Sequence, residues 1–442
     1  MFKRKMAGAF AGVMLVGGLA ACGGGDDDAG TDNGNAGDGD GEVSGEITVW
    51  GWNVAASSME LAIEGFNEEY PDVEVNVQDI GRLDLYDRLT VGLAAGGSGL
   101  PDVTLIETDR IDNYVAEFPE GFLNLSEYGY DEYASEFGDA KIQATQNDDG
   151  DFIAAPWDVG PAAVFYRVDI FEEAGVDADS IETWDDFVEA GTTIKDATGS
   201  YMVPIDISAD DALFRMMLNQ QGAYYFDDEG NIDLTSDEAV QAMEKIQELH
   251  ENELVANVDG WDGTVTSTVN GNVATVPFGV WYAGTIMDQA PELEGDWDVF
   301  ELPAFEDGGN SAANLGGSDL SIISGTDNPD AAYAFVEYFT TTVEPQMAAL
   351  DEYGMFPSLL STYEEDYFDE ESAFFNNSPV FRTFADMVED IPGANYTSDY
   401  ARAFRYASDA QASSLLQGQS PSETLRQAAE QLENETGRTI NE

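Results

Sequence analysis

The sequence contains few cysteine, histidine and basic residues. Its 442 residues include one cysteine, one histidine and 16 Lys and Arg residues. A single cysteine cannot form a disulfide within the chain. The histidine, His250, lies at the end of an amphipathic segment, so we interpret it as a surface residue. We do not assign it to a Ser-His-Asp or Cys-His catalytic set or to a zinc site. No Gly-rich phosphate loop with its Lys is present, so we expect neither cofactor nor metal. Because Lys and Arg bind the phosphate backbone, their shortage excludes a DNA- or RNA-binding protein.

Acidic residues are abundant instead. The chain carries 88 Asp and Glu residues, which gives a formal net charge of −72. Acidic pairs such as Glu68-Glu69, Asp185-Asp186 and Glu364-Glu365 run along the chain and are not confined to a tail. Because so acidic a body repels itself unless salt screens the charges, we interpret it as a halophilic protein adapted to concentrated brine. The hydrophobic fraction of 43% excludes a wholly disordered chain.

The N-terminus has the features of a lipoprotein signal. Residues 1–21 contain three basic residues followed by an apolar stretch that is too short to span a membrane. The only cysteine, Cys22, follows Leu19-Ala20-Ala21 and resembles the lipidated cysteine of a bacterial lipobox. We therefore predict a signal peptide over 1–21 and a lipid anchor at Cys22 that holds the protein on the extracytoplasmic side of a membrane. Residues 22–45, rich in Gly and Asp, predict a disordered acidic tether.

The rest of the chain alternates strand-like and helix-like segments. Strand patterns at 46–50, 73–77 and 101–106 are separated by helix patterns. This βαβαβ order predicts an α/β protein with mainly parallel sheets flanked by helices. Further helices are predicted at 184–198, 236–253, 328–340, 374–390, 400–417 and 421–436, and further strands at 163–166, 272–278, 298–302 and 320–323.

An ordered set of short segments resembles one protein family. The segments are ITVWGW at 47–52, FNEEYP at 66–71, LPDV at 100–103, APWD at 155–158, AVFY at 163–166, TWDDF at 183–187, GNVA at 271–274, GVWY at 279–282, LP at 302–303 and GGS at 316–318. In this order they resemble the extracellular solute-binding proteins of ABC importers, in the large group that includes maltose-binding protein. The resemblance spans about residues 46–360.

The resemblance implies a two-lobed periplasmic-binding-protein fold of type II, with a hinge of crossing strands. Lobe 1 is expected at 46–157 plus 304–340, and lobe 2 at 158–303 plus 341–436. The ligand lies between the lobes, and closure is a hinge motion. The implied function is a monomeric, non-enzymatic receptor that captures a carbohydrate, in particular an oligosaccharide, and delivers it to an ABC transporter permease.

Tryptophans near predicted strand ends are candidates for stacking against sugar rings. A Trp side chain presents a flat apolar face that matches the C–H face of a sugar and has little conformational entropy to lose. Trp52, Trp157 and Trp281 have suitable positions, although each can instead be a core residue. Trp184, at a predicted helix start, is interpreted as a core residue.

Polar candidates complete this predicted site. The resemblance places a ligand-binding Asp at Asp109, and a carboxylate accepts hydrogen bonds from two neighbouring hydroxyl groups. Asp158 beside Trp157 is a second acid, and Asn53 is a weaker candidate. Gly317 and Ser318 are further candidates, in the segment GGS at 316–318. Its glycines would let the backbone approach a ligand closely, or the segment would simply form a turn.

Two alternative functions remain open at this point. A surface-anchored glycosidase would use a pair of carboxyl groups among the same aromatic residues. A binding protein for another solute, such as a polyamine, would use the acids and tryptophans as a cation-binding box. The order of the family-like segments favours a carbohydrate-binding protein.

Overall fold

The computed structural model describes residues 43–147 and 149–441. The predicted signal peptide, Cys22 and the tether as far as residue 42 lie outside these described residues. Val43 already packs against an apolar core and the first strand begins at Gly45, so the folded part starts slightly before the predicted end of the tether at residue 45. Within the described ranges, no helix is both long and apolar enough to cross a membrane.

The strands form a seven-stranded and a two-stranded sheet in the described part of the chain. Their bounds are Gly45–Gly51 (β1), Val73–Asp79 (β2), Val103–Glu107 (β3), Ala155–Arg167 (β4), Val203–Ile205 (β5), Val255–Asn257 (β6), Thr275–Gly279 (β7), Trp297–Glu301 (β8) and Asn314–Ile322 (β9). The large sheet has the order β2-β1-β3-β9-β4-β7, with β8 also paired to β4, and β5 pairs with β6.

The α/β class is confirmed, but the sheet is only partly parallel. β1 pairs in parallel with β2 and β3, and β5 pairs in parallel with β6. The pairs β3–β9, β4–β9, β4–β7 and β4–β8 are antiparallel. β4 and β9 are antiparallel because the chain crosses between the two halves of the molecule on β4 and returns on β9.

Helices cover both faces of the large sheet. Their bounds are Asn53–Glu69 (α1), Arg82–Ala94 (α2), Ile111–Glu117 (α3), Asp139–Thr145 (α4), Val168–Ala174 (α5), Trp184–Thr198 (α6), Ala212–Gln220 (α7), Asp237–Glu251 (α8), Gly260–Val269 (α9), Tyr282–Gln289 (α10), Pro329–Thr341 (α11), Val343–Tyr353 (α12), Val380–Met387 (α13), Tyr400–Gln417 (α14) and Pro421–Thr436 (α15). The predicted helix at 374–390 is shorter because Asn376 and Asn377 take a left-handed backbone conformation.

Buried apolar side chains divide the molecule into two lobes. In one lobe, side chains of β1, β3, α1 and α11 share a core that includes Ile47, Phe66, Leu105 and Phe335. In the other lobe, the second half of β4 packs with α6, α7, α8 and α15 around residues such as Val164 and Phe214. This arrangement confirms the predicted two-lobed fold.

Three segments cross between the lobes. On β4, Trp157 lies in the core of the first lobe and Ala162 in that of the second. On β9, Leu315 belongs to the second lobe and Leu320 to the first. The third passage is at 356–359, where Val159 N donates to Phe356 O (3.0 Å) and Ser358 N to Trp157 O (2.9 Å). The second and third passages lie later in the sequence than the expected boundaries at 304 and 341.

We expect the melting temperature to rise with salt concentration. Most of the repulsion acts between carboxylates outside the core. The buried acids among the described residues are Asp158, Asp211, Asp233, Asp298 and Asp319. The Debye length falls from about 10 Å at 0.1 M to about 3 Å at 1 M salt, which removes that repulsion. Calorimetric melting in a KCl series checks this, with sucrose of equal osmolality as the control. A melting temperature independent of KCl would contradict the interpretation.

Candidate functional site

The carboxyl end of β3 carries a group of charged side chains on the first lobe. The Glu107 carboxylate accepts hydrogen bonds from Arg82 Nε and Arg110 Nε, both at 2.9 Å, and from the Tyr86 hydroxyl at 3.0 Å. The Arg110 guanidinium lies 4.5 Å from the centroid of the Tyr86 ring. Both oxygens of Glu107 are therefore occupied, and Arg110 is held against the lobe by an ion pair and an aromatic ring.

Asp109 lies in the short turn Thr108–Arg110 that follows β3. Its Oδ1 atom is buried and has no hydrogen-bond partner within the described protein. Burial and the nearby charge of Glu107 raise the pKa of Asp109, although Arg110, Arg215 and Tyr400 act in the opposite direction. A buried acceptor without a donor is costly, and a ligand hydroxyl would satisfy it.

The second lobe presents an arginine and a tyrosine cluster to this carboxylate. Arg215 donates from Nε to Asp211 at 2.8 Å and from Nη1 to the Tyr400 hydroxyl at 2.9 Å. The Tyr400 ring packs against Tyr396 at 5.5 Å and Tyr224 at 6.4 Å between centroids. These residues come from α7, α14 and the loops beside them, and their contacts fix the positions of the polar groups that face Asp109.

The two lobes touch at this edge. Asn113 Nδ2 donates to Ser398 O at 3.1 Å, and Thr397 N donates to Asp112 Oδ2 at 2.9 Å. Deeper between the lobes, a cavity of about 20 Å³ lies between Thr108 and Tyr396, among other residues. That volume holds about one water molecule. A sugar ring would therefore enter this inner region only after a hinge movement.

Trp281, a predicted stacking residue, lies partly exposed at the start of α10. Its side chain follows β7, the residue is 38% exposed, and its indole Nε1 donates to Leu315 O at 2.8 Å. Gly316 has a φ of +115° and approaches so closely that a Cβ atom there would lie 2.9 Å from the indole nitrogen. The crossing strand β9 therefore positions Trp281 beside the hinge.

The other predicted aromatic and amide residues have different surroundings. Trp157 is 1% exposed and packs against Phe339 with a centroid distance of 5.3 Å, so its ring has no face free for a ligand and we treat it as a core residue. Trp52 is partly buried and contacts Tyr86 at 5.8 Å, which places it near Glu107. Asn53 is exposed, has a left-handed φ of 48° and donates its backbone N–H to Asp79.

Asp158 and Ser318 belong to the hinge. Ser318 N donates to Asp158 Oδ1 at 2.7 Å, and Asp158 is 8% exposed. Lys141 Nζ forms an ion pair with Asp319 at 2.6 Å and donates to the Ser318 carbonyl at 3.2 Å. These residues bind one another between β4 and β9, so the structure gives them a role in holding the crossing strands together.

Gly317 lies inside the same hinge cluster. Its φ is +103°, and a Cβ atom there would lie 3.2 Å from both Lys141 Nζ and Thr108 Oγ1. Lys141 Nζ also donates to Thr108 Oγ1 at 2.8 Å, and Thr108 Oγ1 donates to Asp319 at 2.7 Å. Glycine is required at this position because the backbone conformation and the nearby ammonium group leave little room for a side chain.

We expect stability to fall as the pH rises towards neutrality, in part through Asp158. Burial raises the pKa of Asp158 to about 7, with Lys141 opposing and Asp319 adding to the shift. The folded state therefore holds a proton that the unfolded state releases near pH 4, and the stability it provides is lost as the pH rises to about 7. Melting temperatures at constant high salt between about pH 5 and 8 should fall less steeply for Asp158→Asn. Equal slopes would contradict this assignment.

Sequence reasoning missed most of the second-lobe residues. Arg215, Tyr224 and Tyr400 were not predicted, and Tyr396 lies in the loop that leads into α14. The scarcity of basic residues was the one available signal, because an arginine among so many acids is unusual. Among the described residues, no group of three or more His, Cys, Asp or Glu is arranged to hold a metal ion.

Comparison with known proteins identifies the family. A sequence profile for the bacterial extracellular solute-binding proteins matches residues 51–344. A lactose-binding protein of Rhizobium radiobacter is 30% identical over 365 residues, 80% of this chain and 84% of that protein. An arabinooligosaccharide-binding protein of Halalkalibacterium halodurans is 28% identical over 409 residues, 89% of this chain and 90% of that protein.

A solved structure shows the same fold. The ABC transporter associated binding protein from B. animalis subsp. lactis, in complex with beta-1,6-galactobiose, superposes with a TM-score of 0.72 at 26% identity, covering 90% of this chain and 100% of that chain. The two lobes and the hinge of crossing strands agree with the profile match, which covers most of the chain. The chain belongs to the bacterial extracellular solute-binding protein family.

Proposed function

We propose that this protein is a lipid-anchored, extracytoplasmic receptor that binds an oligosaccharide between its lobes and delivers it to an ABC transporter permease. The lipid anchor is attached at Cys22, and the receptor acts as a monomer. The polypeptide crosses between its two lobes at the three hinge passages. The names of the relatives support a carbohydrate ligand, since they bind lactose and arabinooligosaccharides. The polar and aromatic groups beside the hinge support it independently.

The buried, unpartnered oxygen of Asp109 is the observation that carries the proposal. It lies at the end of β3, faces Arg215 and Tyr400 of the other lobe, and requires a hydrogen-bond donor. A sugar supplies neutral hydroxyl donors, while exposed Trp281 supplies an apolar face. Ligand binding that satisfies groups on both lobes would favour the closed state over the open state.

The same geometry disfavours a glycosidase. Such an enzyme needs two carboxyl groups that flank the scissile bond, one of them free to donate a proton. The acid nearest in sequence to Asp109, Glu107, is occupied by Arg82, Arg110 and Tyr86. On the opposite lobe, Asp211 is occupied by Arg215 and the Tyr225 hydroxyl. The relatives also carry the names of binding proteins.

A polyamine fits the site less well than a sugar. Arg110 and Arg215 both lie close enough to Asp109 to influence its pKa. Each guanidinium would repel a cationic ligand placed against this carboxylate. A neutral polyhydroxy ligand avoids that repulsion and can accept hydrogen bonds from the same guanidinium groups.

A thermal-shift screen in concentrated salt tests the proposal. The panel contains lactose, galactobiose, maltose, arabinobiose, arabinotriose and spermidine. A ligand that binds the folded state raises the melting temperature by mass action. We expect a rise with at least one neutral glycan and none with spermidine, and a rise with spermidine alone would overturn the carbohydrate assignment.

A further inference from the structure

A short loop of the second lobe makes the contacts that join the two lobes at the edge of the site. Thr397 N donates to Asp112 Oδ2 at 2.9 Å, and Ser398 O accepts from Asn113 Nδ2 at 3.1 Å. Asp112 and Asn113 lie on α3 of the first lobe, whereas the loop at 397–399 directly precedes α14. Hydrogen bonds that exist only when the lobes touch stabilise the closed state relative to the open state.

The backbone of this loop is strained. Thr397 has a φ of 56°, a left-handed conformation that is a clear outlier for a β-branched residue. Such a conformation persists only where the surrounding structure holds it. Asp399 N donates to Thr397 Oγ1 at 3.2 Å, but this bond lies within the loop itself. The loop therefore needs a contact from another segment to keep the Thr397 N–H directed at Asp112.

Arg438 provides that contact. It lies in the segment 437–441, which follows α15 and pairs with the chain at Ile232. Its Nε donates to Asp399 Oδ2 at 2.7 Å, and its Nη2 donates to the Ser398 hydroxyl at 3.4 Å. The side chain of Asp399 is 13% exposed and that of Arg438 is 26% exposed, so this ion pair is partly shielded from solvent.

The same guanidinium is fixed to the body of the second lobe. Nη1 of Arg438 donates to Gly230 O at 3.0 Å, and the group lies 5.2 Å from the centroid of the Phe226 ring. Arg402 also pairs with Asp399, at 2.6 Å, but it belongs to α14, the helix that follows the loop. Arg438 therefore ties the loop to a separate part of the lobe through the fixed geometry of a planar guanidinium.

We propose that Arg438 is a positioning residue for ligand binding. It holds the loop at 397–399 in the conformation that contacts the first lobe, and it thereby favours the closed state that encloses the ligand. This inference rests on the proposed carbohydrate-binding function. Because the lobes must separate before an enclosed ligand leaves, the effect should appear mainly in the dissociation rate.

Replacing Arg438 by Met tests the inference. Titration calorimetry and stopped-flow fluorescence in about 1 M KCl measure affinity and dissociation rate for lactose, galactobiose, maltose, arabinobiose and arabinotriose. For each glycan that the unmodified protein binds, we expect the dissociation constant to rise about 3- to 10-fold, as for residues that act on such an equilibrium without contacting the ligand. Arg426→Met is the matched control, because Arg426 forms an exposed ion pair with Glu430 within α15 and should leave affinity unchanged.

A double-mutant cycle separates positioning from a general structural role. Asp112→Ala removes the acceptor on the first lobe and should weaken binding by itself. If Arg438 acts through the loop, adding Arg438→Met to Asp112→Ala should cause little further weakening. Melting curves check that each variant is folded, and Arg438→Gln, which keeps a planar donor, replaces Arg438→Met in the cycle if the Met variant is unfolded.

The contrary outcomes are distinguishable. Unchanged affinity in Arg438→Met, or effects of Arg438→Met and Asp112→Ala that multiply, overturns the positioning role while leaving the carbohydrate function intact. An equal loss of affinity in Arg426→Met also overturns it, since that residue has no contact with the loop. Absence of binding of all five glycans to the unmodified protein removes the proposed function itself, and the inference with it.

Discussion

Replacing Lys141 by Met is expected to lower the free energy of unfolding by about 3–5 kcal/mol, the usual cost of removing one partner from a buried ion pair. Lys141 is 6% exposed and its partner Asp319 is fully buried. Its ammonium group also contacts Thr108 and the Ser318 carbonyl, and its charge acts to lower the pKa of Asp158. Without it, the buried carboxylate of Asp319 loses its compensating charge. Chemical denaturation at high salt measures the change.

Lys245→Met is the matched control for this experiment. Lys245 pairs with Asp185 and Glu248, whose side chains are 85% and 45% exposed. Ion pairs with exposed partners contribute at most about 1 kcal/mol, so this variant should remain close to the unmodified protein. Equal losses in the two variants would show that the hinge cluster has no special importance.

Replacing Asp109 by Asn is expected to weaken oligosaccharide binding by about 10- to 100-fold, since hydrogen bonds to a charged group contribute about 1.5–3 kcal/mol. The same change should leave the ligand-free protein as stable as before or more stable. Burial raises the pKa of Asp109, which means that its ionised form is disfavoured in the folded state. Titration calorimetry and melting without ligand measure the two effects.

Asp298→Asn provides the control for Asp109. Asp298 is 8% exposed, on β8 of the second lobe, and its carboxylate accepts a hydrogen bond from the Ser378 hydroxyl at 2.8 Å. This residue lies within a structural network, so its replacement should affect melting and not affinity. Loss of stability without loss of affinity in Asp109→Asn would contradict the role given to that carboxylate.

Local signals in the sequence were sufficient for several elements. The helices at 400–417 and 421–436 were predicted with the bounds that the structure has. Pro421 occupies the first turn of its helix, and Gly418 and Gly437 take left-handed conformations at the helix ends. These residues determine helix ends through their own backbone preferences, and no tertiary contact is needed to recognise them.

The faces of a crossing strand were less predictable. Trp157 and Asp158 are neighbours on β4, at a point where its pairing with β9 shifts register, and their side chains have different surroundings. Only the pairing of β4 with β9 decides that Trp157 enters the core of the first lobe and Asp158 the hinge cluster. The sequence brought the two residues together as one candidate site, because both types are common in sugar-binding sites.

Residues that meet across the lobes were beyond sequence reasoning. Asp109 was expected from the family resemblance, but Arg215 and Tyr400 are separated from it by more than 100 residues. Each is unremarkable in its own segment, and their common position depends on how α7 and α14 pack on the second lobe. The abundant acids gave little help, because most of those described lie away from the buried core.

We propose that the protein binds an oligosaccharide between its lobes and releases it unchanged. Titration calorimetry tests this directly, with the glycan that gives the largest thermal shift. The titration is done at about 1 M salt, where charge repulsion is screened. The glycan is then recovered and its length is measured by mass spectrometry. The account predicts one glycan bound per chain, recovered at its original length. Shorter products would identify a glycosidase, and absence of binding heat with every glycan of the panel would contradict the account.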